Sequence, residues 1–261
     1  MISPNADAPP TIVSARNLGH VFADGTVALE GIDLHVSEGS FVAVLGPSEC
    51  GKSTLLRLIS GLERASEGQL SVQFRGPRGL AFVFQDAHLM PWRTVLDNVA
   101  LPLELRGLAR NEARRRAKAP LADVELSDVE ARFPDELSGG MRMRVSIARA
   151  LVTEPALLLL DEPFAALDEL TRQRLDERLR ALWSQHEMTV IFVTHSLTEA
   201  VFLAERAIVM SRRPGRVVLD HRVDLPRRRS GSIRAEAAFA RQIAPLYQAL
   251  EEHGSAEDAR S

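Results

Sequence analysis

The segment that most constrains this chain is Gly46-Pro47-Ser48-Glu49-Cys50-Gly51-Lys52-Ser53-Thr54, which fits the pattern G-x-x-x-x-G-K-[ST]. An apolar, strand-like stretch at residues 41–45 precedes it, and a stretch with helical spacing at residues 55–60 follows it. Glycines let such a loop curl until its backbone N–H groups point at phosphate oxygens, and the following helix adds its positive N-terminal end. The order of strand, loop and helix therefore predicts a nucleotide-phosphate site in an α/β fold.

Two side chains of this loop carry the expected chemistry, and one opposes it. Lys52 can reach the β- and γ-phosphates, and the Ser53 hydroxyl can ligate Mg²⁺. Glu49 places a carboxylate near the negatively charged phosphate chain of the nucleotide. At about 6 Å and an effective dielectric of about 20, the repulsion is roughly 2–3 kcal/mol per unit charge. Glu49 should weaken nucleotide binding unless its side chain turns to solvent. The competing interpretation of the whole segment is a glycine-rich turn that fits the pattern by accident.

The overall charge does not favour nucleic acid as a partner. The 261 residues carry a formal net charge of −3. Basic runs occur at residues 110–118, 212–216 and 227–229; we interpret them as solvated faces, with a membrane surface or another anionic partner as the alternative. Cys50 is the single cysteine, so no intrachain disulfide can form. We interpret it as a small loop residue, with a redox-sensitive thiol as the alternative.

No segment has the pattern of a membrane anchor or a secretory signal. Residues 1–10 contain three prolines, lack a basic start and an apolar core, and are expected to form a disordered lead. No apolar run approaches the ~20 residues that a spanning helix needs. A role at a membrane would therefore require a partner.

Polar side chains follow three predicted strands at the point where each strand ends. Gln85 follows residues 80–84 and can present its amide to a metal or to an attacking water. Asp161 and Glu162 follow the apolar run 157–160; Asp161 can hold Mg²⁺ through water, and Glu162 can accept a proton from water that attacks the γ-phosphate. His195 follows residues 189–193, at the edge where open α/β sheets bind ligands. The alternatives are solvated acids at a strand end and a structural histidine.

Residues 86–150 are mostly helical in pattern and contain a second predicted anion site. A turn at the start of a helix is formed by Ser138, Gly139 and Gly140. As in the first loop, the N–H groups and the positive end of the helix can bind an anion. Both sites can hold one nucleotide only if they converge, within one molecule or between two. The stretch Pro91-Trp92-Arg93 places an aromatic ring, which we expect to be exposed, beside a charge, a feature typical of contact points.

Taken together, these motifs resemble the ATP-binding subunit of an ABC transporter, over about residues 11–225. The family's order is matched by Phe22, the phosphate loop, Gln85, Ser138-Gly139-Gly140, Asp161-Glu162, Asp168 and His195. The resemblance implies a P-loop NTPase (RecA-like) α/β core with an antiparallel β subdomain and a helical insert, at about residues 86–150, that carries the signature. Residues 226–261 would form a basic linker and a helical tail.

The resemblance also assigns roles. It implies catalytic roles for Lys52, Gln85, Glu162 and His195, and metal contacts from Ser53, Gln85 and Asp161. The residues that would contact ATP are Phe22 as the adenine-side aromatic, Gly46, Pro47, Ser48, Glu49, Cys50, Gly51, Lys52, Ser53, Thr54, Ser138, Gly139, Gly140 and Asp168.

The resemblance further implies how the subunit works. Two copies would face head to tail and trap two ATP molecules with Mg²⁺, each site taking Ser138 to Gly140 from the other copy. Residues 85–95 would contact a transmembrane permease at the cytoplasmic face of the membrane, and a solute-binding protein outside would deliver the solute. The segments 84–99, 139–142 and 161–168 are similar to those of the nitrate, sulfonate and taurine import subfamily, whose relatives also serve pyrimidines and other small solutes.

Two positions depart from the family pattern. Glu49 replaces the usual glycine, which costs of order 1 kcal/mol if the position needs a glycine backbone angle. Met143 replaces a usual glutamine of the signature helix. The alternatives are a pseudo-ATPase weakened by Glu49, a soluble ABC ATPase of repair or translation, a P-loop kinase and an exporter domain.

Overall fold

Two β-sheets form the frame of the molecule. The computed structural model describes residues 9–165, 167–186 and 188–254. The strands of this part are β1 (Thr11–Val21), β2 (Val27–Ser37), β3 (Phe41–Leu45), β4 (Glu67–Val72), β5 (Leu80–Val83), β6 (Leu157–Asp161), β7 (Thr189–Val193), β8 (Arg206–Met210) and β9 (Val217–Arg222). One sheet is antiparallel with the order β2-β1-β4, and the other has the order β5-β6-β7-β3-β8-β9.

Helices cover the larger sheet and fill the space between the two sheets. They are α1 (Lys52–Ser60), α2 (Val95–Leu105), α3 (Arg110–Asp123), α4 (Gly139–Leu151), α5 (Glu169–His186), α6 (Leu197–Leu203) and α7 (Ala237–Gly254). Short 3-10 helices span Pro134–Glu136 and Gly231–Ala235. The predicted α/β fold with an antiparallel sheet is confirmed.

The larger sheet explains why the strand-end residues assemble. Strands β5, β6, β7, β3 and β8 run parallel, and every residue of β3, β6 and β7 is buried. Parallel strands are covered on both faces, so their sequences are continuous apolar runs. Their carboxyl ends meet at one edge, which places the residues after β3, β5, β6 and β7 side by side.

Helix α1 lies between the two sheets and fixes the phosphate loop at its N-terminus. Leu55, Leu56 and Ile59 pack in one apolar cluster with residues of the antiparallel sheet and with Val42 and Val44 of β3. Gly61 ends the helix in a left-handed conformation, and its N–H donates to the carbonyl of Leu58.

Three helices, α2 to α4, lie between β5 and β6 along the chain. The loop before α2 is held by the fully buried side chain of Asn98, whose amide nitrogen donates to the carbonyls of Met90, Arg93 and Thr94. This loop presents Trp92, which is 72% exposed. The expectation of an exposed aromatic ring at this position is confirmed.

The C-terminal segment packs on α5 and α6. Ile233, Phe239 and Leu246 are buried in the core on this side of the sheet. Arg229 donates to the carbonyls of Val201, Phe202 and Ala204 at the end of α6. Interpreting residues 227–229 as a wholly solvated face was therefore wrong for Arg229, because these carbonyls have no partner further along α6.

Some expectations cannot be compared with the fold. The predicted disordered lead falls mostly on residues 1–8, which lie outside the described residues. Ala166, within the segment 161–168 that was compared with the import subfamily, lies outside them as well. The limits given for the domains stay predictions. None of the helices in the described part of the chain combines the length and apolar character that crossing a bilayer requires.

Candidate active site

The phosphate loop joins the buried end of β3 to the first turn of α1. Gly51 stands at the N-cap with φ 99°, and a Cβ there would lie 2.9 Å from the carbonyl oxygen of Ala28. A Cβ on Gly46 would lie 2.6 Å from the Cys50 sulfur. The loop therefore needs glycine at both ends, once for its backbone angle and once for space.

Lys52 is folded over its own loop. Its Nζ donates to the carbonyls of Gly46 at 2.9 Å and Pro47 at 2.8 Å, and the residue is 5% exposed. The same nitrogen lies 4.0 Å from Oε1 of Glu162. The charge of Lys52 is thus fixed at the mouth of the loop, where a phosphate chain would lie.

Ser53 and Asp161 form the contact between the loop and β6. The Ser53 hydroxyl donates to Oδ1 of Asp161 at 3.0 Å. Burial raises the pKa of Asp161 above its usual value, and this hydrogen bond opposes the rise. A hydroxyl and a carboxylate are oxygen donors of the kind that Mg²⁺ takes, so the pair fits that ion.

Gln85 lies two residues after the end of β5, and β5 is the neighbour of β6 in the sheet. It is exposed, at the same edge as Asp161. Within the described residues no cluster of three or more His, Cys, Asp or Glu side chains could hold a metal.

Glu162 and His195 come from neighbouring strand ends and contact each other. Nδ1 of His195 lies 3.2 Å from Oε2 of Glu162. Glu162 has φ 45°, in the left-handed region that non-glycine residues seldom adopt, and its N–H donates to the carbonyl of Val193. The strained backbone places the carboxylate between Lys52 and His195, where it can accept a proton from water.

The turn formed by Ser138, Gly139 and Gly140, called the signature turn below, is the N-terminus of α4. The Ser138 hydroxyl caps α4 by accepting from the N–H of Met141 at 3.2 Å. Gly139 is exposed and a Cβ there would meet only Arg142, whereas Gly140 lies beneath Leu167. No hydrogen bond or ion pair among the described residues joins this turn to residues 46–54 of its own chain. The hydrogen bonds and ion pairs of the described residues therefore join the strand-end residues to one another and not to residues 138–140.

Two further predicted residues lie apart from the strand-end cluster. Phe22 is half-buried beside the antiparallel sheet, edge-on to His20 with ring centroids 4.9 Å apart. Asp168 precedes α5, and its Oδ1 accepts from the N–H of Thr171 at 3.0 Å. That backbone hydrogen bond holds the pKa of Asp168 below its usual value.

Glu49, the loop residue whose carboxylate was expected to oppose nucleotide binding, faces solvent. Glu49 is exposed and has φ 62°, the left-handed angle that favours glycine. The expected backbone cost of a non-glycine residue is therefore present, while the exposed carboxylate is screened by water. Cys50 is fully buried, and burial raises the pKa of its thiol.

Arg149 was missed by the sequence reasoning. It lies on α4, and its guanidinium donates to the carbonyls of Ala87 at 2.7 Å and His88 at 2.8 Å, just after Gln85. Burial lowers its pKa below the usual value. The only signal was a charged residue within the apolar run Val145–Leu151, because backbone acceptors leave no mark in the sequence.

Comparisons with known proteins agree with this geometry. A family model described as ABC transporter matches residues 29–165. The chain is 45% identical over 246 residues to the "Aliphatic sulfonates import ATP-binding protein SsuB 2" of Streptomyces avermitilis, covering 94% of each chain. It is 44% identical over 247 residues to the "Taurine import ATP-binding protein TauB" of Rhizobium johnstonii, covering 90% of this chain and 92% of that protein.

A solved structure matches the fold. It is the dimeric, post-hydrolysis state of the ATP-binding cassette MJ0796 bound to ADP and Pi, with a TM-score of 0.74 and 32% identity. The match covers 82% of this chain and 100% of that one.

Proposed function

The chain belongs to the ABC transporter family, and from this premise we propose that it is the ATP-hydrolysing subunit of an importer for a small sulfonate, of the alkanesulfonate or taurine class. The observation that carries the proposal is the assembly of Lys52, Ser53, Asp161, Glu162 and His195 at one sheet edge. The relatives named above, which match almost the whole chain, are described as import ATP-binding proteins.

ATP is the substrate, and the chain's first task is to hold its phosphates. The N–H groups of the loop and the N-terminal end of α1 would bind the phosphate oxygens. Lys52 would exchange part of its bonding to Gly46 and Pro47 for the β- and γ-phosphates. Phe22 would flank the adenine from the antiparallel sheet.

Ser53, Asp161 and Gln85 would hold Mg²⁺. When bound, this ion neutralises charge that develops on the phosphate oxygens. Asp161 already contacts the Ser53 hydroxyl, so the two oxygens need little rearrangement. Gln85 would link the metal to the helices that follow it, so that a change at the nucleotide site moves these helices.

Hydrolysis would use Glu162 and His195. Glu162 would accept the proton of the attacking water, and His195, at 3.2 Å from the carboxylate, would hold the γ-phosphate and that water. Phosphoryl transfer depends mainly on positioning and charge stabilisation, which a fixed lysine and a fixed carboxylate supply.

The second anion site would act in the partner copy. The N-terminus of α4 is capped and its Gly139 is open, so a phosphate can approach its N–H groups. In a head-to-tail dimer, Ser138, Gly139 and Gly140 of one copy would close over the ATP of the other. Two copies would then enclose two ATP molecules.

The permease would contact the loop after Gln85. Trp92 is exposed beside an open depression lined by Pro91, Ala131, Arg132, Phe133, Asp135 and Glu136. An exposed aromatic ring beside a depression suits a helix of a membrane subunit. The chain would thus work at the cytoplasmic face of the membrane, and a separate solute-binding protein would supply the sulfonate.

Transport by the reconstituted complex tests the proposal. The chain is combined with its permease and solute-binding protein in liposomes, and uptake of labelled taurine and of an alkanesulfonate is measured with ATP. We expect ATP-dependent uptake of at least one of them, and none with Glu162→Gln. ATP hydrolysis without uptake of either would reject the solute class, and failure to bind any permease would reject the importer.

A further inference from the structure

Three buried or half-buried polar residues connect the turn before α5 to His195. Glu199, on α6, is 5% exposed, and its carboxylate accepts from the hydroxyl of Thr194, the residue before His195. Arg172, on α5, lies with its Nε 3.5 Å from the other oxygen of Glu199. These groups take no part in the proposed chemistry, but through Thr194 they lead to His195, which does.

Arg172 also holds the turn that contacts the signature helix. Its Nη2 donates to the carbonyl of Leu167 at 2.9 Å. The side chain of Leu167 lies over Gly140, since a Cβ built on that glycine would be 2.4 Å from Leu167 Cδ2. One guanidinium therefore links the start of α4 with α6.

The other end of the connection is equally well held. The hydroxyl oxygen of Thr194 accepts from the N–H of Ser196 at 2.9 Å, and the backbone N–H of Thr194 donates to the carbonyl of Val44 at 3.2 Å. Thr194 is 1% exposed. Both the backbone and the hydroxyl of Thr194 are therefore held, the hydroxyl in part by Glu199. Because His195 is the next residue, its backbone can move little unless Thr194 and Glu199 move with it.

We infer that Arg172 and Glu199 are a pair of positioning residues. They hold His195 at a fixed position relative to the turn that contains Leu167. The inference rests on the proposed head-to-tail dimer, in which the signature turn serves the partner's ATP and His195 serves the chain's own. The pair then makes the two nucleotide sites of the dimer depend on each other through a single protomer.

Arginine is suited to this role in a way that lysine is not. Its planar fork reaches the Leu167 carbonyl and the Glu199 carboxylate at the same time, whereas an ammonium offers one point charge. Arg172→Lys keeps the charge opposite buried Glu199 and removes the two-sided contact. Glu199→Gln keeps an acceptor for Thr194 and removes the ion pair.

The test compares ATP hydrolysis by the purified chain and its variants. Arg172→Lys and Glu199→Gln should each lower kcat about tenfold, leave KM for ATP within about twofold, and reduce the Hill coefficient towards 1. The double variant should fall little further than either single variant, since both break one connection. The matched control is Arg178→Lys, on the same helix, whose partner Asp123 lies outside the connection.

Thermal melting separates this effect from a folding defect. If Arg172→Lys melts like the control and retains the kcat and Hill coefficient of the wild type, the inference is overturned. If the Glu162→Gln variant forms no ATP-dependent dimer, the proposed dimer fails and the inference fails with it. Normal dimerisation with unchanged Arg172→Lys kinetics rejects the positioning pair alone.

Discussion

The Nζ of Lys52 lies 4.0 Å from Oε1 of Glu162, although the two residues follow different strands of the sheet. Lys52 begins the helix after β3, and Glu162 follows β6. The contact places a carboxylate beside the cation that would hold the γ-phosphate. In the proposed mechanism, the attacking water would lie beside this carboxylate.

Replacing Glu162 by Gln should abolish turnover and spare ATP binding. The amide fills the same space but cannot accept the proton, so kcat should fall by about 10²–10⁴. Steady-state phosphate release measures turnover, and a fluorescent ATP analogue measures affinity. Unchanged turnover would remove Glu162 from the role of general base.

Replacing Glu49 by Gly should stabilise the folded chain. Glycine adopts φ 62° freely, which relieves a backbone cost of about 1 kcal/mol. Glu49→Gln is the matched control, because it removes the charge and keeps the strained backbone. Since the exposed carboxylate is screened, ATP affinity should change little in either variant. Titration calorimetry gives the affinities and melting gives the stability; a glycine variant that melts no higher than the control would contradict the expectation.

The loop between β8 and β9 should support the phosphate loop from behind. A Cβ on Gly215 would lie 2.1 Å from the carbonyl oxygen of Cys50, so Gly215→Ala must displace one of the two loops. We expect a loss of about 1–3 kcal/mol of stability, as for other overpacked sites, and weaker ATP binding. Gly79→Ala is the control, since a Cβ there meets nothing within 4 Å. Equal melting temperatures and ATP affinities for the two variants would refute the support role.

Stability should depend on pH through Asp176. Burial, with a contribution from Glu199, raises its pKa to about 8, although Arg234 and Arg172 oppose the rise. The folded chain then keeps a proton that the unfolded chain has lost, so this residue lowers the free energy of unfolding as pH rises from about 4 to about 8, and has no further effect above that.

Asp176→Asn removes that dependence. Relative to wild type, the variant should gain stability steadily between pH 5 and pH 8, by a total of about a few kcal/mol. Denaturant unfolding at several pH values measures the difference. A difference that is constant over this range would show that Asp176 does not keep its proton on folding.

The strand ends were predictable because buried parallel strands are continuous apolar runs with short polar ends. The runs stop at Asp161, Glu162 and His195, and the phosphate loop with Lys52 follows the run that forms β3. The contact between Gly215 and Cys50 was not predictable, because it joins two loops far apart in the chain. Nor were the bonds of Arg149 and Arg229, whose acceptors are backbone carbonyls that any sequence provides.

The measurement that tests the account most directly is size-exclusion chromatography of the Glu162→Gln variant with and without Mg·ATP. Since this variant should bind ATP without hydrolysing it, we predict a shift from monomer to dimer when Mg·ATP is added, reversed when the nucleotide is removed. A variant that binds ATP yet elutes as a monomer at every protein concentration would contradict the shared ATP site on which the account depends.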